Sequence, residues 1–191
     1  MLRDLVEKNR SYRGYDESYH FDRKQLEKYI DLTRFTASSV NAQPLKYRIV
    51  CDENEVMIVR PLTKWARALP DLDLPHKGKH ATAFIVICQD TDISDDLRRY
   101  QKDIGIVAQT ITLAAVEDGL GGCMIGNFSP KQIASALNIN DRFVPVLIVA
   151  LGKPDEKVVI KEISDGESIK YYRDENDVHY VPKRKLDDII I

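Results

Sequence analysis

The stretch that decides the fold is "DIGIVAQTITLAAVEDGLGGCMIGNF", residues 103–128. Its first half belongs to a helical pattern that we expect to run from about Asp95 to Asp118, with apolar residues three or four positions apart. From Ile104 to Val116 the other faces are also apolar or small, and a helix that is apolar nearly all round is buried on all sides. In a chain of 191 residues we expect the extra apolar face to meet a second subunit.

The second half is rich in glycine and invites comparison with the dinucleotide-binding fingerprint G-x-G-x-x-G. The spacing fails because Met124 stands where the third glycine is required, and the context fails because a helix precedes the glycines. The pattern favours a helix that ends at Gly119 in a left-handed conformation, and a tight turn at Gly121 and Gly122 into a strand. Such a stretch also lets the backbone approach a flat ligand closely.

Outward from this stretch, apolar periodicity predicts both helices and strands. The expected helices end near Asn9, run from a capping box at Asp22 and Gln25 to about Phe35, and run from a cap at Ser129 to about Leu137. The expected strands are residues 46–52, 55–60, 81–89, 143–152 and, more weakly, 156–163, with Pro145 at an edge or entry position. Without a regular β-α-β alternation, the pattern predicts an α+β sandwich, formed as a single domain over residues 1–191.

Charge and cysteine content limit the classes of function. The 28 Lys and Arg residues against 30 Asp and Glu give a net charge of -2, which argues against general binding to nucleic acid or to anionic membranes. The cysteines, Cys51, Cys88 and Cys123, are odd in number and far apart, as is usual in a reducing compartment. No signal peptide and no membrane-spanning run is evident, so we expect a cytoplasmic protein.

Three polar segments are candidates for binding a ligand. In "NRSYRGY", residues 9–15, Arg10 and Arg13 flank Ser11 and predict a local anion site. Residues 36–50 cluster hydroxyl and amide side chains between a helix and a strand, which suits either an ordinary polar loop or a rim that hydrogen-bonds a heteroaromatic ring. The run at 183–185 is basic; in an extended chain Lys183 and Lys185 face one way and Arg184 the other.

Other chemistry finds little support in the sequence. His76 and His80 have the spacing of a helical metal pair, but Pro75 and the intervening "KGK" favour a solvated loop, so no metal site is expected. No G-x-S-x-G elbow is present, and no cysteine lies in a basic or histidine-bearing setting. We therefore name no catalytic side chain, although triads assembled from distant positions stay open.

Five segments, in order, resemble the FMN-dependent nitroreductase family: residues 10–13, 38–44, 103–128, 144–154 and 183–185. The resemblance implies a central, mostly antiparallel sheet flanked by helices, in an intertwined homodimer with FMN at the subunit interface. The implied activity is an oxidoreductase that uses NAD(P)H to reduce nitroaromatic, quinone or other electron-poor acceptors by a ping-pong hydride mechanism. A flavin-binding dimer without turnover, acting as carrier or sensor, and other flavin chemistry such as dehalogenation are the alternatives.

The resemblance also assigns residues to the cofactor. The N-terminal segment would contribute Arg10 toward the phosphate and ribityl end, Ser11, and Arg13 near N1 and O2 of the flavin ring. The other subunit would contribute a loop carrying the residues Ser38, Ser39, Asn41 and Gln43. The strand end would contribute Ile125, Gly126 and Asn127, with the Gly126 N–H facing flavin N5. Lys183 and Lys185, or Arg184 in another register, would complete the phosphate site.

The sequence departs from the family pattern in three places. Asn9 stands where a second basic residue is frequent, which would leave the phosphate more dependent on the C-terminal lysines. Leu45 replaces an aromatic residue that usually follows the Gln-Pro pair, so we expect different packing behind that loop. The middle segment, residues 62–80, is the one candidate for covering a substrate; Trp65 and Arg67 would touch substrate there, or Trp65 belongs to the core, which we favour.

Overall fold

The computed structural model describes all 191 residues and contains five α-helices and eight β-strands. The helices are α1 (Leu2–Lys8), α2 (Arg23–Thr33), α3 (Glu53–Val59), α4 (Gln101–Glu117) and α5 (Pro130–Ala136). The strands are β1 (Tyr15–Asp16), β2 (Leu45–Val50), β3 (Ala83–Asp90), β4 (Gly121–Ile125), β5 (Phe143–Pro154), β6 (Val158–Ile163), β7 (Tyr172–Arg173) and β8 (His179–Arg184). The predicted α+β class is confirmed. None of the helices combines the length and the hydrophobicity that crossing a bilayer requires.

The larger sheet is antiparallel throughout, as predicted. Its order is β1-β5-β3-β2, and β4 pairs with β5 as well. Pro145 lies opposite Cys88 at a shift in the β3–β5 register, before the β4 pairing begins at Ile148. The proline therefore occupies an entry position, where its missing N–H leaves the three-strand part of the ladder intact.

Two apolar layers cover the two faces of this sheet, and β3 explains why. Its eight residues are all buried, and successive side chains of a strand point to opposite faces. One face packs against α2 and α4, through a cluster that includes Leu26, Ile85, Ile87, Val107 and Ile111. The other face packs against α3 and α5, through a cluster that includes Val56, Phe84, Val86, Ile133 and Ile148. The continuous apolar run of β3 thus follows from helices on both sides.

The C-terminal part of the chain forms a second, smaller sheet with the order β6-β8-β7. Strands β6 and β8 are parallel and β7 pairs antiparallel with β8, where the rings of Tyr172 and Tyr180 stack at 5.0 Å. The first residue of β8, His179, is 1% exposed. The start of β8 is therefore buried against the rest of the chain, whereas the basic residues expected in the site, 183–185, lie at the other, exposed end of this strand.

The predicted strand at residues 55–60 is wrong, because the chain is helical there. Helix α3 begins after Asp52, whose side chain accepts hydrogen bonds from the backbone N–H groups of Asn54 and Glu55. Val56 and Val59, three positions apart, are the buried residues of α3. A β-branched run thus yields to a strong N-cap and to the requirement of the sheet for a helix on this face.

One helix boundary and one helix cap also differ from the sequence prediction. Helix α4 begins at Gln101 rather than near Asp95, because the Gln89 side chain bonds the carbonyl oxygens of Ser94 and Asp96 at 2.7 and 3.1 Å and fixes a turn there. Helix α2 has half of its expected capping box. Asp22 accepts from the backbone N–H of Lys24, but the Gln25 side chain bonds the Tyr29 hydroxyl instead.

The glycines of residues 119–126 have separate physical reasons. Gly119 follows α4 with φ +76°, the left-handed conformation that the sequence predicts. Gly121 opens β4 directly, and a Cβ at this position would clash with the ring of Tyr12. Gly126, just past β4, has no heavy atom within 4 Å of its Cβ direction, so open space adjoins the end of the strand.

Candidate functional site

The segment around Arg10 runs beside the start of β4. Ser11 forms a bridge with Gly122, and the Tyr12 N–H donates to the Gly122 carbonyl at 3.1 Å. Just upstream, the Asn9 amide donates to the Thr112 hydroxyl of α4 at 2.9 Å. Asn9 is therefore occupied in anchoring the segment to α4, and the exposed Ser11 stays accessible to a ligand.

The Arg10 side chain has one donor fixed and another without a partner. Its Nη2 donates to the Val6 carbonyl at 2.7 Å, near the C-terminal end of α1. Its Nε is buried and has no hydrogen-bond partner. A guanidinium prefers to use its donors in a fork, so this arrangement fits an anion placed beside Arg10.

Arg13 lies in a buried polar cluster with residues of the C-terminal sheet. Its guanidinium stacks on the Tyr171 ring at 4.8 Å, and its Nη1 lies 3.1 Å from Nε2 of His179. Its backbone N–H donates to the Glu156 carboxylate, which also pairs with Arg173. Arg13 is 9% exposed, so within one chain its charge is largely committed to this cluster. Its expected place at the flavin ring stays a prediction.

His179 is neutral in this cluster. Burial, together with the guanidiniums of Arg13 and Arg173, lowers the pKa of His179 to about 4. A neutral imidazole accepts the Arg13 hydrogen bond at Nε2, which puts the ring proton on Nδ1. That Nδ1 is buried and has no partner. A second proton on the imidazole would therefore destabilise the folded cluster.

The loop of residues 38–43 is attached to Asp103, in the first turn of α4. The Ser38 hydroxyl donates to Oδ2 at 2.6 Å, and the Ser39 hydroxyl donates to Oδ1 at 2.8 Å. The Ser39 backbone N–H adds a bond to Oδ2 at 3.0 Å. Burial alone would raise the pKa of Asp103, but these hydrogen bonds outweigh it and hold the pKa below its ordinary value.

The serine hydroxyls of this loop are therefore already used inside the chain. Ser38 Oγ also accepts the Gln43 N–H at 3.0 Å, so that hydroxyl serves both Asp103 and the far end of the loop. The exposed groups of the loop are Val40 and the amide side chains of Asn41 and Gln43, which bond each other at 3.3 Å. These groups, rather than the hydroxyls, are available to a ligand.

The end of β4 fits a flat ligand. The Ile125 side chain is buried in the core, whereas Gly126 and Asn127 are exposed. The Asn127 carbonyl accepts the Lys64 N–H at 3.0 Å, which fixes the chain beyond the strand. Gly126 lies four residues beyond Gly122, or about 13 Å along an extended strand. The Arg10 segment and the open glycine thus lie beside the two ends of β4.

The basic residues near the C-terminus lie at the exposed end of the small sheet. Lys183 and Arg184 close β8, and Lys185 follows it. Arg184 pairs with Asp165 at 3.3 Å, and Lys185 donates to the Ser164 hydroxyl at 3.1 Å. Lys183 is exposed and has no carboxylate partner. The chain by itself does not join these residues to Arg10, and their role at a phosphate stays a prediction.

The two halves of the expected site attach to opposite faces of α4. The loop of residues 38–43 bonds Asp103, and the Arg10 segment is anchored at Thr112 through Asn9. Nine residues of helix separate these contacts by about 14 Å along the axis and about 180° around it. One chain therefore does not bring the two halves together, and their meeting across a subunit interface stays a prediction.

The middle segment borders a separate cavity of about 600 Å³. Trp65 lines it, packs edge-on against Tyr15 at 6.4 Å and donates from its indole N–H to Thr63. Trp65 is thus partly core and partly wall of the cavity. His80 lines the cavity too and bonds Glu17 at 2.6 Å, whereas His76 bonds Asp177, so the two histidines have different partners.

Sequence reasoning missed the residues that hold the site in place. Asp103 stood inside an apolar helix pattern, where a single carboxylate in the first turn was the available signal. His179 and Glu156 were not among the candidate residues, because their partner Arg13 lies more than 140 residues away in the sequence. Contacts between residues so far apart in the sequence produce no local pattern from which they could be predicted.

An antiparallel sheet between two helical layers, with Arg10 and Ser11 beside the start of one strand and an open glycine beyond its end, defines the α+β fold and the candidate site of this chain. The chain belongs to the nitroreductase family, whose sequence profile matches residues 6–153, more than three-quarters of the chain. Among curated proteins, the candidate NAD(P)H nitroreductase YodC of Bacillus subtilis (strain 168) is 23% identical over 180 residues, covering 78% of this chain and 88% of YodC.

Solved structures share the fold. A nitroreductase family protein from Streptococcus pneumoniae TIGR4 is 20% identical with a TM-score of 0.67, covering 100% of this chain and 99% of its own. An FMN-dependent nitroreductase from Clostridium difficile R20291 is 23% identical with a TM-score of 0.64, covering 80% and 87%. A nitroreductase family protein from Clostridium novyi NT is 23% identical with a TM-score of 0.65, covering 81% and 86%. At these identities the likeness establishes the fold.

Proposed function

We propose that this protein is an FMN-dependent oxidoreductase that uses NAD(P)H to reduce nitroaromatic, quinone or related electron-poor acceptors. It works as a homodimer of one FMN-binding domain, residues 1–191, in a ping-pong cycle. Membership of the nitroreductase family supports the assignment to the oxidoreductases. The name of YodC includes NAD(P)H, and the C. difficile protein is described as FMN-dependent, which supports the choice of donor and cofactor. The observation that carries the proposal is the single strand β4, which has Arg10 and Ser11 beside its start and open space at Gly126 beyond its end.

The residues present fit FMN. Arg10 holds a buried Nε without a partner, which suits a phosphate oxygen, and the exposed Lys183 and Lys185 supply further cations. Gly126 leaves the space that a Cβ would fill, which suits the close approach of a flat ring. Asn41 offers both a donor and an acceptor, as the polar edge of the flavin ring requires.

The chemistry supplied by bound FMN is hydride transfer, first from NAD(P)H and then to the acceptor. The task of the chain is to bind and orient. Arg10 and the C-terminal lysines neutralise the phosphate, and Gly126 leaves one edge of the ring uncovered by side chain. A cationic Arg13 near the ring would favour the negatively charged reduced state. None of these roles requires a general acid or base.

A second subunit completes the site in this proposal. The Arg10 segment and the loop of residues 38–43 lie on opposite faces of α4, so the loop of one chain serves the Arg10 segment of its partner. Exposed apolar side chains on α1 and α4 support the dimer: Leu2 is 70% exposed, Val6 is 43% exposed and Ile106 is 38% exposed. Gly105 has open space around it, which allows a partner helix to approach closely.

Two measurements test the proposal. The purified protein is first examined for a visible flavin spectrum and titrated with FMN; a protein that is colourless and does not bind FMN at micromolar concentration contradicts it. The flavin-loaded protein is then mixed anaerobically with NADH or NADPH, which we expect to bleach the flavin band. An unchanged band would favour the carrier or sensor alternative over an enzyme.

A further inference from the structure

Asp103 is a buried carboxylate whose partners are the donors of one loop. It is 3% exposed, and the side-chain hydrogen bonds that it accepts come from Ser38 and Ser39. Three donors, the Ser38 hydroxyl and the hydroxyl and backbone N–H of Ser39, converge on it at 2.6 to 3.0 Å. As the third residue of α4 it also lies at the positive end of the helix dipole. Asp103 therefore tethers the loop with charge-assisted hydrogen bonds, which are the strong ones.

The tethered loop is strained. Val40, Asn41 and Gln43 have φ values of 49°, 53° and 49°, in the left-handed region that residues other than glycine rarely adopt. This conformation is unfavourable for residues with a Cβ, although asparagine tolerates it better than most. Val40 is β-branched, for which this conformation is least favourable, and it is also 84% exposed. The chain therefore maintains a strained conformation that places an apolar side chain in water.

The strain and the buried tether have a common explanation. Without the tether we expect the loop to relax to ordinary backbone angles, because the exposed Val40 side chain gains no packing contact that would offset the strain. Strained backbone that the surroundings enforce is characteristic of ligand clamps. A flat apolar ring placed against Val40 would remove its side chain from water, and the neighbouring Asn41 amide would meet a polar edge of that ring.

We propose that Asp103 is a positioning residue of the flavin site: it holds the loop of residues 38–43 in the strained conformation that presents Val40 and Asn41 to the flavin of the partner subunit. The inference rests on the proposed function. It also changes the roles of Ser38 and Ser39, whose hydroxyls point inward as tethers and act on the flavin through the shape of the loop.

The first test compares Asp103→Ala with the matched control Asp118→Asn. Asp118 follows the other end of α4 and accepts the Tyr29 hydroxyl bond at 2.7 Å, away from the loop. We expect Asp103→Ala to weaken both FMN and riboflavin by about tenfold or more, since charged hydrogen bonds are lost, and by equal factors because the loop does not reach the phosphate. Asp118→Asn should leave both affinities unchanged. Fluorescence titration gives the affinities, and visible circular dichroism reports the ring environment.

Stability is measured beside affinity, because a merely structural role would move only stability. If Asp103→Ala lowers the urea midpoint but leaves flavin affinity and the visible dichroism unchanged, the inference is overturned. Ser39→Ala is the milder variant, since it removes one hydroxyl bond and keeps the backbone bond. A several-fold loss of affinity in Ser39→Ala supports the inference, and an unchanged affinity overturns it even if Asp103→Ala does not fold.

A mixed dimer tests whether the loop serves the partner. One chain carries Asp103→Ala and the other carries Arg10→Ala, so one of the two sites combines an intact Arg10 with an intact loop. We expect the mixed dimer to bind about one flavin per dimer with wild-type affinity. If the mixed dimer restores no flavin site although the wild-type protein binds FMN, the inference is overturned and the proposed function stands. If the wild type itself does not bind FMN, the proposed function fails, and the inference fails with it.

Discussion

Lowering the pH from about 7.5 to about 5 should remove a stabilising contribution of His179, by an amount that follows from its pKa. The ring is 1% exposed and accepts the Arg13 hydrogen bond at 3.1 Å. Burial and the two neighbouring guanidiniums lower its pKa from 6.5 to about 4. Protonation of the folded protein would put a third positive charge beside Arg13 and Arg173 and remove the acceptor at Nε2.

The direction of the effect follows from proton uptake. Between pH 6.5 and about 4 the unfolded chain holds a proton on His179 and the folded chain does not. Acid therefore favours the unfolded state in this window, and the folding free energy falls as the pH drops. A shift from 6.5 to about 4 corresponds to about 3.4 kcal/mol when complete and to about 2 kcal/mol at pH 5, with almost nothing lost at pH 7.5.

The assay is urea unfolding at both pH values, at fixed concentrations of protein and FMN, because ligand and subunit binding shift apparent stability. The same measurement is made on His179→Gln, whose side-chain oxygen still accepts from Arg13 but does not titrate, and on the exposed control His20→Gln. Between pH 7.5 and pH 5, the unfolding free energy of the wild type and of His20→Gln should each fall by about 2 kcal/mol more than that of His179→Gln. Equal losses in all three proteins would refute the neutral, buried His179 and with it the order of the Arg13 cluster.

Three further predictions concern the proposed site. Gly126→Ala should leave the urea midpoint unchanged, because its Cβ enters open space, yet weaken FMN at least several-fold in fluorescence titration; unchanged binding would place the ring elsewhere. Replacing Lys183 and Lys185 together by Ala should weaken FMN more than riboflavin, which lacks the phosphate, and equal losses would remove the C-terminus from the site. Arg13→Ala should destabilise the fold by about 1 kcal/mol or more, because it removes the guanidinium that bonds His179 and the Ser11 carbonyl and stacks on Tyr171, and should lower the flavin reduction potential measured by spectroelectrochemistry; a wild-type potential would remove Arg13 from the ring.

The sheet and most helices were predictable because their signals are local. Continuous apolar runs marked β3 and β5, and Ser129 followed by Pro130 marked the start of α5. The helix at 53–59 departs from the predicted strand because the Asp52 cap, whose side chain accepts from the N–H groups of Asn54 and Glu55, outweighs the β-branched run. Local composition does not decide such cases, since the sheet face left open by the rest of the chain also contributes.

The candidate site was predictable in its segments and not in its contacts. The family resemblance brought Arg10 and Gly126 into consideration, and the structure places them along one strand. It did not reveal that Ser38 and Ser39 bond Asp103, because that contact joins residues 65 positions apart. Nor did it reveal that Arg13 lies under Tyr171, since burial of a charge depends on the whole fold.

Helix α4 fixes the angle and the distance between the two half-sites proposed for the flavin, the Arg10 segment and the loop of residues 38–43. Because Asp103 and Thr112 are nine residues apart, inserting or deleting one residue between them would rotate one half-site by about 100° and shift it by about 1.5 Å relative to the other. Substitutions that keep the length preserve this relation, whereas changes in length do not. Among homologous chains we therefore expect insertions to occur in the turns around residues 66–78 and 164–171, and the interval from 103 to 112 to keep a constant length.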